Sequence, residues 1–290
     1  MADKGSRKER VEQLQKVFEK GVLSLANDAS WHRMMDFLAK FRRYSFNNTV
    51  LIYMQNPNAT MLAGYKQWMS RGRKVKRGEK SIKIFGHSIG KRKDENGNVV
   101  LNDDGTEATY EYYPILSVFD VSQTEPIPGK EDLYAKSQEM FKTNVEGSDP
   151  EGIYEKLQVW LQVNGYTFSE EDNLGGAQGA TSQKRKQVRV LSSLSPATKA
   201  ATLIHECAHI LLHKDVDDYQ EHRGLYETEA ESVGYIVGKM HGLDTSEISI
   251  PYVTSWSNGD KGTLMESASN VYKAAMTLDR VLTGEALEAK

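Results

Sequence analysis

The sequence is poor in the features that mark secreted and membrane proteins. It contains one cysteine among 290 residues, Cys207, so an internal disulfide is impossible, as is typical of reducing compartments. Its apolar runs fall short of the roughly 20 residues that a transmembrane helix needs, and the first ten residues lack the apolar segment of a signal peptide. We therefore predict a cytoplasmic protein without a membrane partner, in which Cys207 is a small packed side chain.

The length and the charge distribution indicate what the chain can form. With 290 residues, 39% of them hydrophobic, it can build two domains that each have a core. The net charge of −3 says little, but between residues 66 and 93 eleven Lys or Arg residues accompany a single acidic residue, Glu79. Such a segment is either the solvated face of a sheet or a surface for a polyanion.

The strongest motif lies at residues 202–213, where His205 and His209 stand four residues apart. In a helix this spacing places both imidazoles on one face, about 40° apart around the axis, so both can reach one ion. Glu206 follows the first histidine and can contact a water held by that ion. The pattern His-Glu-x-x-His is typical of sites where two histidines bind zinc and the glutamate is a general base. Ser195 and Pro196 are a plausible start for this helix.

A third metal ligand is expected from the next helical stretch, residues 226–240, which offers three glutamates. Glu227 and Glu231 share a face with Gly234 and Gly238, whose missing side chains would allow a close approach of the two helices. Glu229 lies towards apolar neighbours, where an unpaired carboxylate would be costly to bury. We therefore predict Glu227 as the third ligand and Glu231 as an acceptor that orients a ligand histidine.

Two segments together resemble the gluzincin-type metallopeptidases and their ImmA/IrrE branch: His205-Glu206-x-x-His209 and Glu227-x-x-Ala230-Glu231. The resemblance covers roughly residues 150–290 and implies Zn²⁺ as cofactor and an unidentified protein substrate. A histidine often follows the motif in that branch, as His213 does here. Its spacing puts it a full turn beyond His209, so capping or packing near the helix end is favoured over a ligand role.

The basic segment has its own resemblance, to the N-terminal domain of ArdC-like antirestriction proteins. The motifs that carry it, over roughly residues 8–125, are Tyr44-Ser-x-x-Asn47, Gly64-Tyr65-x-x-Trp68, Gly72-Arg73-x-Val75-x-x-Gly78-Glu79-Lys80-x-Ile82 and Val118-Phe-Asp-Val-Ser-Gln-Thr124. That domain binds single-stranded DNA in the family. The side chains that could follow a phosphate backbone are Arg71, Arg73, Lys74, Lys76, Arg77, Lys80 and Lys83. Trp68 and Tyr44 could stack on bases, but core positions are favoured for both.

The predicted fold is α+β: an N-terminal α+β domain that binds single-stranded DNA, then a mostly helical zincin-like domain with a small sheet. We place the first domain at residues 1–125, a linker and connecting helix at 126–149, and the second domain at 150–290. In the second domain, residues 165–169 and 187–192 read as strands, joined by a flexible glycine-rich connection at residues 175–181. By the gluzincin resemblance, Gln187–Leu191 would border the cleft and pair with an extended substrate.

Three functions remain open. The first is a zinc endopeptidase that carries a single-stranded DNA module and is linked to plasmid or mobile-element transfer. The second is a DNA-binding protection protein whose zincin domain is structural or only binds, and the third is a structural zinc domain. A second electrophile would assist hydrolysis, and His222, Tyr219 and Tyr235 are the candidates. An intact Glu206 argues against the third function.

Overall fold

The structure is a computed structural model that describes residues 6–135, 149, 151–214, 222–245 and 260–285. It is an α+β protein with two compact units, which confirms the predicted fold class. One unit comprises Met1–Phe18 with Val50–Phe141, and the other comprises Glu19–Thr49 with Lys142–Lys290. The predicted boundaries after residues 125 and 149 stay predictions. The packing also places residues 19–49 in the second unit. None of the described helices has the length and apolarity to cross a membrane.

Up to residue 126 the described chain forms three helices and then seven strands, with a fourth helix and a 3₁₀ turn among the strands. They are α1 (Arg7–Ser24), α2 (Asp28–Leu38), α3 (Phe46–Gln55), β1 (Leu62–Gly64), α4 (Tyr65–Ser70), β2 (Arg73–Val75), β3 (Ile82–Phe85), β4 (Ser88–Lys91), β5 (Thr109–Tyr112), β6 (Ile115–Asp120), a 3₁₀ turn (Val121–Gln123) and β7 (Thr124–Pro126). The apolar spacing of residues 7–27 predicts an amphipathic helix, and the alternation from Lys80 onward predicts a strand. The structure confirms them as α1 and β3. The connecting helix is predicted at residues 131–143, most of which lie outside the described residues.

The sheet of the first unit has the order β1-β6-β3, and all its pairs are antiparallel. Trp68 of α4 is fully buried beside it, and its indole N–H donates to the carbonyl of Phe119 over 2.9 Å. At the outer strand, the side-chain amide of Gln55 donates to the carbonyl of Lys83 and accepts from its N–H, both over 2.9 Å. The β2–β7 and β4–β5 pairs complete the described strands of this unit.

The second unit contains the helices and strands that follow residue 150, besides α2. They are α5 (Ile153–Val163), β8 (Thr167–Glu171), β9 (Gly179–Ser182), β10 (Gln187–Leu191), α6 (Pro196–Leu212), α7 (Arg223–Met240) and α8 (Lys261–Leu282). The sequence predicts a last helix at about 263–283, and α8 confirms it. Residues 251–257, which with that helix complete the resemblance to the second domain of ArdC-like proteins, lie outside the described residues. The core forms where α6 packs on α7 and where α5 and α8 cover them.

Helix α6 begins and packs as the sequence predicts. The Ser195 side chain accepts from the N–H of Thr198 at 3.2 Å, and Pro196 occupies the first turn, where a missing N–H costs nothing. Cys207 is fully buried in the middle of the helix. The indole N–H of Trp31 donates to the Ser232 hydroxyl over 2.9 Å, so α2 is held against α7.

Two expectations about the small sheet were wrong. Gln187–Leu191 is its central strand, parallel to β8 and antiparallel to β9, so its backbone groups are used on both sides. The edge that borders α6 is β9, which lies within the glycine-rich stretch that was predicted to be a flexible connection. Glycine is present at Gly179 because of a close approach and not because of flexibility: a Cβ there would lie 2.5 Å from Oε1 of Glu206.

Candidate metal site

The structure brings together His205, His209 and Glu227, whose donor atoms could hold one metal ion. Nε2 of His205 lies 3.0 Å from Nε2 of His209 and 3.5 Å from Oε2 of Glu227, which is 4.0 Å from Nε2 of His209. Three ligands about 2.0–2.1 Å from a tetrahedral ion would be separated by about 3.3 Å. The donor set therefore fits a divalent ion with a fourth position left for water or substrate.

Glu206 lies beside these donors and is held by strand β9. It is only 5% exposed, and its Oε2 accepts a hydrogen bond of 2.6 Å from the hydroxyl of Thr181 on β9. One residue past β9, the amide of Gln183 donates to the main-chain carbonyl of His209 over 2.9 Å. The edge strand thus positions the carboxylate and anchors the helix that carries two of the candidate ligands.

The ionisable groups influence each other in opposite directions. Burial alone would lower the pKa of His205, but its contact with Glu227 and the charges of Glu231 and Glu206 outweigh burial and raise it. Burial, reinforced by His205 and His213, lowers the pKa of His209. Burial also raises the pKa of Glu206 and of Glu231. Several carboxyl groups therefore share a confined space, an arrangement that a divalent cation would stabilise.

Glu231 lies near the ligand it was predicted to orient, without reaching it. Its Oε1 is 3.6 Å from Nδ1 of His205, beyond a normal hydrogen bond, and among the described residues this buried nitrogen has no hydrogen-bond partner. The proposed role of Gly234 and Gly238 was wrong. A Cβ at Gly234 would face open space, and one at Gly238 would meet Thr245 and Leu243 and not helix α6.

Sequence reasoning missed the partner of Glu229. This carboxylate is buried, as the apolar face predicts, but its Oε2 lies 2.9 Å from Nε2 of His213. Nδ1 of His213 in turn lies 2.9 Å from Nδ1 of His209. His213 is the residue at the end of α6, as the packing interpretation expected, yet it contacts a candidate ligand directly.

Of the candidates for a second electrophile, the structure describes Tyr235 and His222. Tyr235 faces away from the cleft, since its hydroxyl donates to Asp36 of α2 over 2.6 Å. His222 precedes α7 and lies 6.1 Å, between ring centroids, from Tyr226, and Tyr219 lies outside the described residues. Arg223, which the sequence did not single out, lines the cleft beside Glu227, with its Nε 3.9 Å from Oε1 of that glutamate. The cleft has a volume of about 940 Å³.

The basic residues of the first unit divide into two groups. Arg73 is internal: its guanidinium pairs with Asp132 and donates from Nε to the hydroxyl of Thr124 over 2.8 Å. Arg71 is half-buried over the ring of Trp68, 5.6 Å from its centroid. The exposed members of the predicted set are Lys74, Lys76, Arg77, Lys80 and Lys83. Trp68 has the core position that was favoured for it, and Tyr44 is half-buried.

The second unit thus has the architecture of a metallopeptidase-like domain: two histidines and a glutamate on paired helices beside a small sheet. Comparison with known proteins agrees, since residues 164–254 match the peptidase family described as the IrrE N-terminal-like domain. Residues 5–121 match the N-terminal domain of anti-restriction factor ArdC. The chain is an ArdC-like protein that combines these two domains.

The individual relatives are either distant in sequence or longer than this chain. An uncharacterized protein of Bacillus anthracis is 30% identical in a match 251 residues long. The match covers 77% of this chain and 42% of the relative, so the chain spans less than half of that relative's length. The metal-free crystal structure of the antirestriction ArdC protein from plasmid R388 covers 88% of this chain and 98% of its own, with a TM-score of 0.50 and 19% identity. The two proteins share a fold. The Mn(II)-bound crystal structure of that protein has a TM-score of 0.49 and 17% identity over the same shares of both chains.

Proposed function

We propose that the second unit holds one divalent metal ion at His205, His209 and Glu227 and hydrolyses peptide bonds. The observation that carries this proposal is the cluster of three donors with the buried carboxylate of Glu206 beside it. When bound, the ion would act as a Lewis acid and lower the pKa of water at the open position. Two imidazoles, one carboxylate and an open position suit zinc best among the common divalent ions.

The side chains of this chain would supply the remaining steps. Glu206 accepts a proton from the attacking water, and the Thr181 hydroxyl keeps its carboxylate in place. No strand of the described residues pairs with the outer edge of β9, and residues of β9 line the cleft. An extended peptide can therefore bind along β9 through backbone hydrogen bonds, without a strict sequence requirement.

Metal content tests the donor set directly. We expect about one zinc per chain in the wild type and a loss of zinc in Glu227→Ala, because two histidines alone leave the ion weakly held. Elemental mass spectrometry of both proteins measures this. Glu266→Ala, an exposed glutamate of α8, is the matched control and should keep its zinc. A wild type free of metal after purification and after zinc addition would remove the metal-dependent part of the proposal.

We further propose that the first unit binds single-stranded DNA. The exposed basic residues support it, because they supply positive charge that a phosphate backbone can follow. Arg73 is left out of this set, since its guanidinium has internal partners. Stacking on bases is assigned to exposed tyrosines, because Trp68 is buried: Tyr110 and Tyr112 of β5 are 49% and 36% exposed, with ring centroids 5.8 Å apart.

Salt dependence tests this assignment. Combined substitution of Lys76, Arg77 and Lys80 by Ala should weaken binding to single-stranded DNA. The negative slope of log K against log salt should become shallower by about 2, since each lost phosphate contact contributes about 0.7. Fluorescence anisotropy at several salt concentrations measures the slope. Alanine at the exposed residues Lys184, Arg185 and Lys273 of the second unit removes the same charge and is the control. Equal slopes in the two triple variants would exclude the proposed surface.

A second candidate function is a DNA-binding protection protein whose metallopeptidase-like domain only binds or stabilises. One observation favours it: the Thr181 hydroxyl donates to Oε2 of Glu206, so one of the two carboxylate oxygens is already occupied. In both candidates the biological role proposed is antirestriction during the transfer of plasmid or mobile-element DNA. The two candidates differ in whether a general base at position 206 is needed.

A further inference from the structure

The candidate ligand His209 and two further side chains, His213 and Glu229, form a continuous buried line. Nδ1 of His209 lies 2.9 Å from Nδ1 of His213, and Nε2 of His213 lies 2.9 Å from Oε2 of Glu229. His213 and Glu229 are only 5% and 6% exposed. Tyr226 packs its ring 4.5 Å from that of His213, between centroids, which restricts rotation of the imidazole. The line joins the end of α6 to the first half of α7.

The direction of each hydrogen bond follows from the acceptor at its end. A carboxylate has no proton to give, so Oε2 of Glu229 accepts and Nε2 of His213 donates. When the His213 ring carries a single proton, that proton is on Nε2, so Nδ1 of His213 is an acceptor. Nδ1 of His209 must donate to it, which leaves a lone pair on Nε2 of His209. That nitrogen is the one that lies 3.0 Å from Nε2 of His205.

We infer that His213 and Glu229 are positioning residues that select the metal-binding tautomer of His209 and fix the orientation of its ring. The inference rests on the proposed function, since it concerns the donor set named there. His209 is thereby oriented by His213, which is itself held by Glu229. His205 is not held in this way, because Oε1 of Glu231 lies 3.6 Å from its Nδ1, beyond a normal hydrogen bond. The buried carboxylate of Glu229 thus acts at the candidate metal site through His213.

The tautomers can be read in the metal-free protein. Long-range ¹H–¹⁵N spectra of protein labelled at histidine nitrogens distinguish the two neutral forms. We expect a proton on Nδ1 of His209 and on Nε2 of His213, assigned with His213→Asn and with His241→Asn as the reference for another buried histidine. Protons on the opposite nitrogens would overturn the inference, whatever the protein does with metal.

Metal affinity is the second measurement, made by competition with a chromophoric zinc chelator. Loss of an outer partner of a ligand histidine typically weakens metal binding about 10–100-fold, and we expect His213→Leu to fall in this range. His213→Asn should recover part of the loss, because its Oδ1 can accept from Nδ1 of His209. Glu229→Gln keeps the volume of the side chain but no longer sets the direction of the bonds, so it should also weaken binding.

The control separates positioning from packing. Ile210→Val removes one methylene from the neighbouring buried position of α6 and should leave metal affinity unchanged. Affinity within twofold of wild type in both His213→Leu and Glu229→Gln would overturn the inference. A wild type that binds no metal would instead count against the proposed function, and the tautomers would still decide the direction of the line.

Discussion

Substitution of Glu206 by glutamine is expected to reduce peptide hydrolysis roughly 10²–10⁴-fold while metal content stays at the wild-type level, because a proton acceptor is lost and the three donors remain. Glutamine has nearly the same volume, and its amide oxygen can still accept from the hydroxyl of Thr181. Because the substrate is not known, the measurement is mass spectrometry of a peptide library after incubation with each protein, together with elemental analysis of the same preparations.

The control and the cellular assay decide between the two candidate functions. Glu266→Gln changes an exposed glutamate of α8 and should leave cleavage unaffected. If Glu206→Gln loses hydrolysis and also loses protection of incoming DNA in cells, the peptidase carries the biological role. If protection persists without hydrolysis, the second candidate is correct. Cleavage by Glu206→Gln at the wild-type rate would show that the general base is another group.

Substitution of Gly179 by alanine is expected to be the most damaging small change in the second unit. The added Cβ would lie 2.5 Å from Oε1 of Glu206 and 2.7 Å from Cγ2 of Thr202, so β9 and α6 would have to separate. Overpacking of this kind typically costs about 1–3 kcal/mol, and each kcal/mol lowers Tm by about 2–4 °C. Because the displaced side chain is Glu206, hydrolysis should fall further than stability alone explains. Calorimetry and the peptide-library assay measure the two effects.

Gly234 provides the matched control for that substitution. It also lines the cleft, but an added Cβ would meet nothing within 4 Å, and the residue lies inside helix α7. Alanine there should raise stability by about 0.5–1 kcal/mol, as is usual for glycine in a helix interior. Equal Tm values for Gly179→Ala and the wild type would mean that β9 does not pack on α6 in solution.

The sequence was sufficient for the parts of the site that depend on one helix. The four-residue spacing of His205 and His209 defines a face by itself, and Ser195 with Pro196 marks where that helix begins. The face of α7 that carries Glu227 and Glu231 could also be chosen from the sequence, because the helical repeat separates it from the apolar positions near Glu229, although the close approach predicted at Gly234 and Gly238 was wrong. These inferences need only the geometry of an isolated α-helix, which is the same in every protein.

The parts that depend on two segments meeting could not be predicted. Glu229 was set aside as a carboxylate without a partner, because nothing local indicates that His213 of the preceding helix reaches it. Gly179 looked like one of several glycines in a flexible stretch, since its close approach to Glu206 exists only after β9 packs on α6. The same holds for Arg73, whose partners Thr124 and Asp132 lie about 50 residues or more away along the chain.

The side chain of Gln55 has a consequence for how this protein behaves at high concentration. Strand β3 is at the end of its sheet, a position where exposed backbone groups commonly recruit a strand from another molecule. The Gln55 amide already satisfies both the donor and the acceptor of Lys83, so an incoming strand would have to displace it. A single polar side chain thereby protects the middle of this edge from intermolecular β-association.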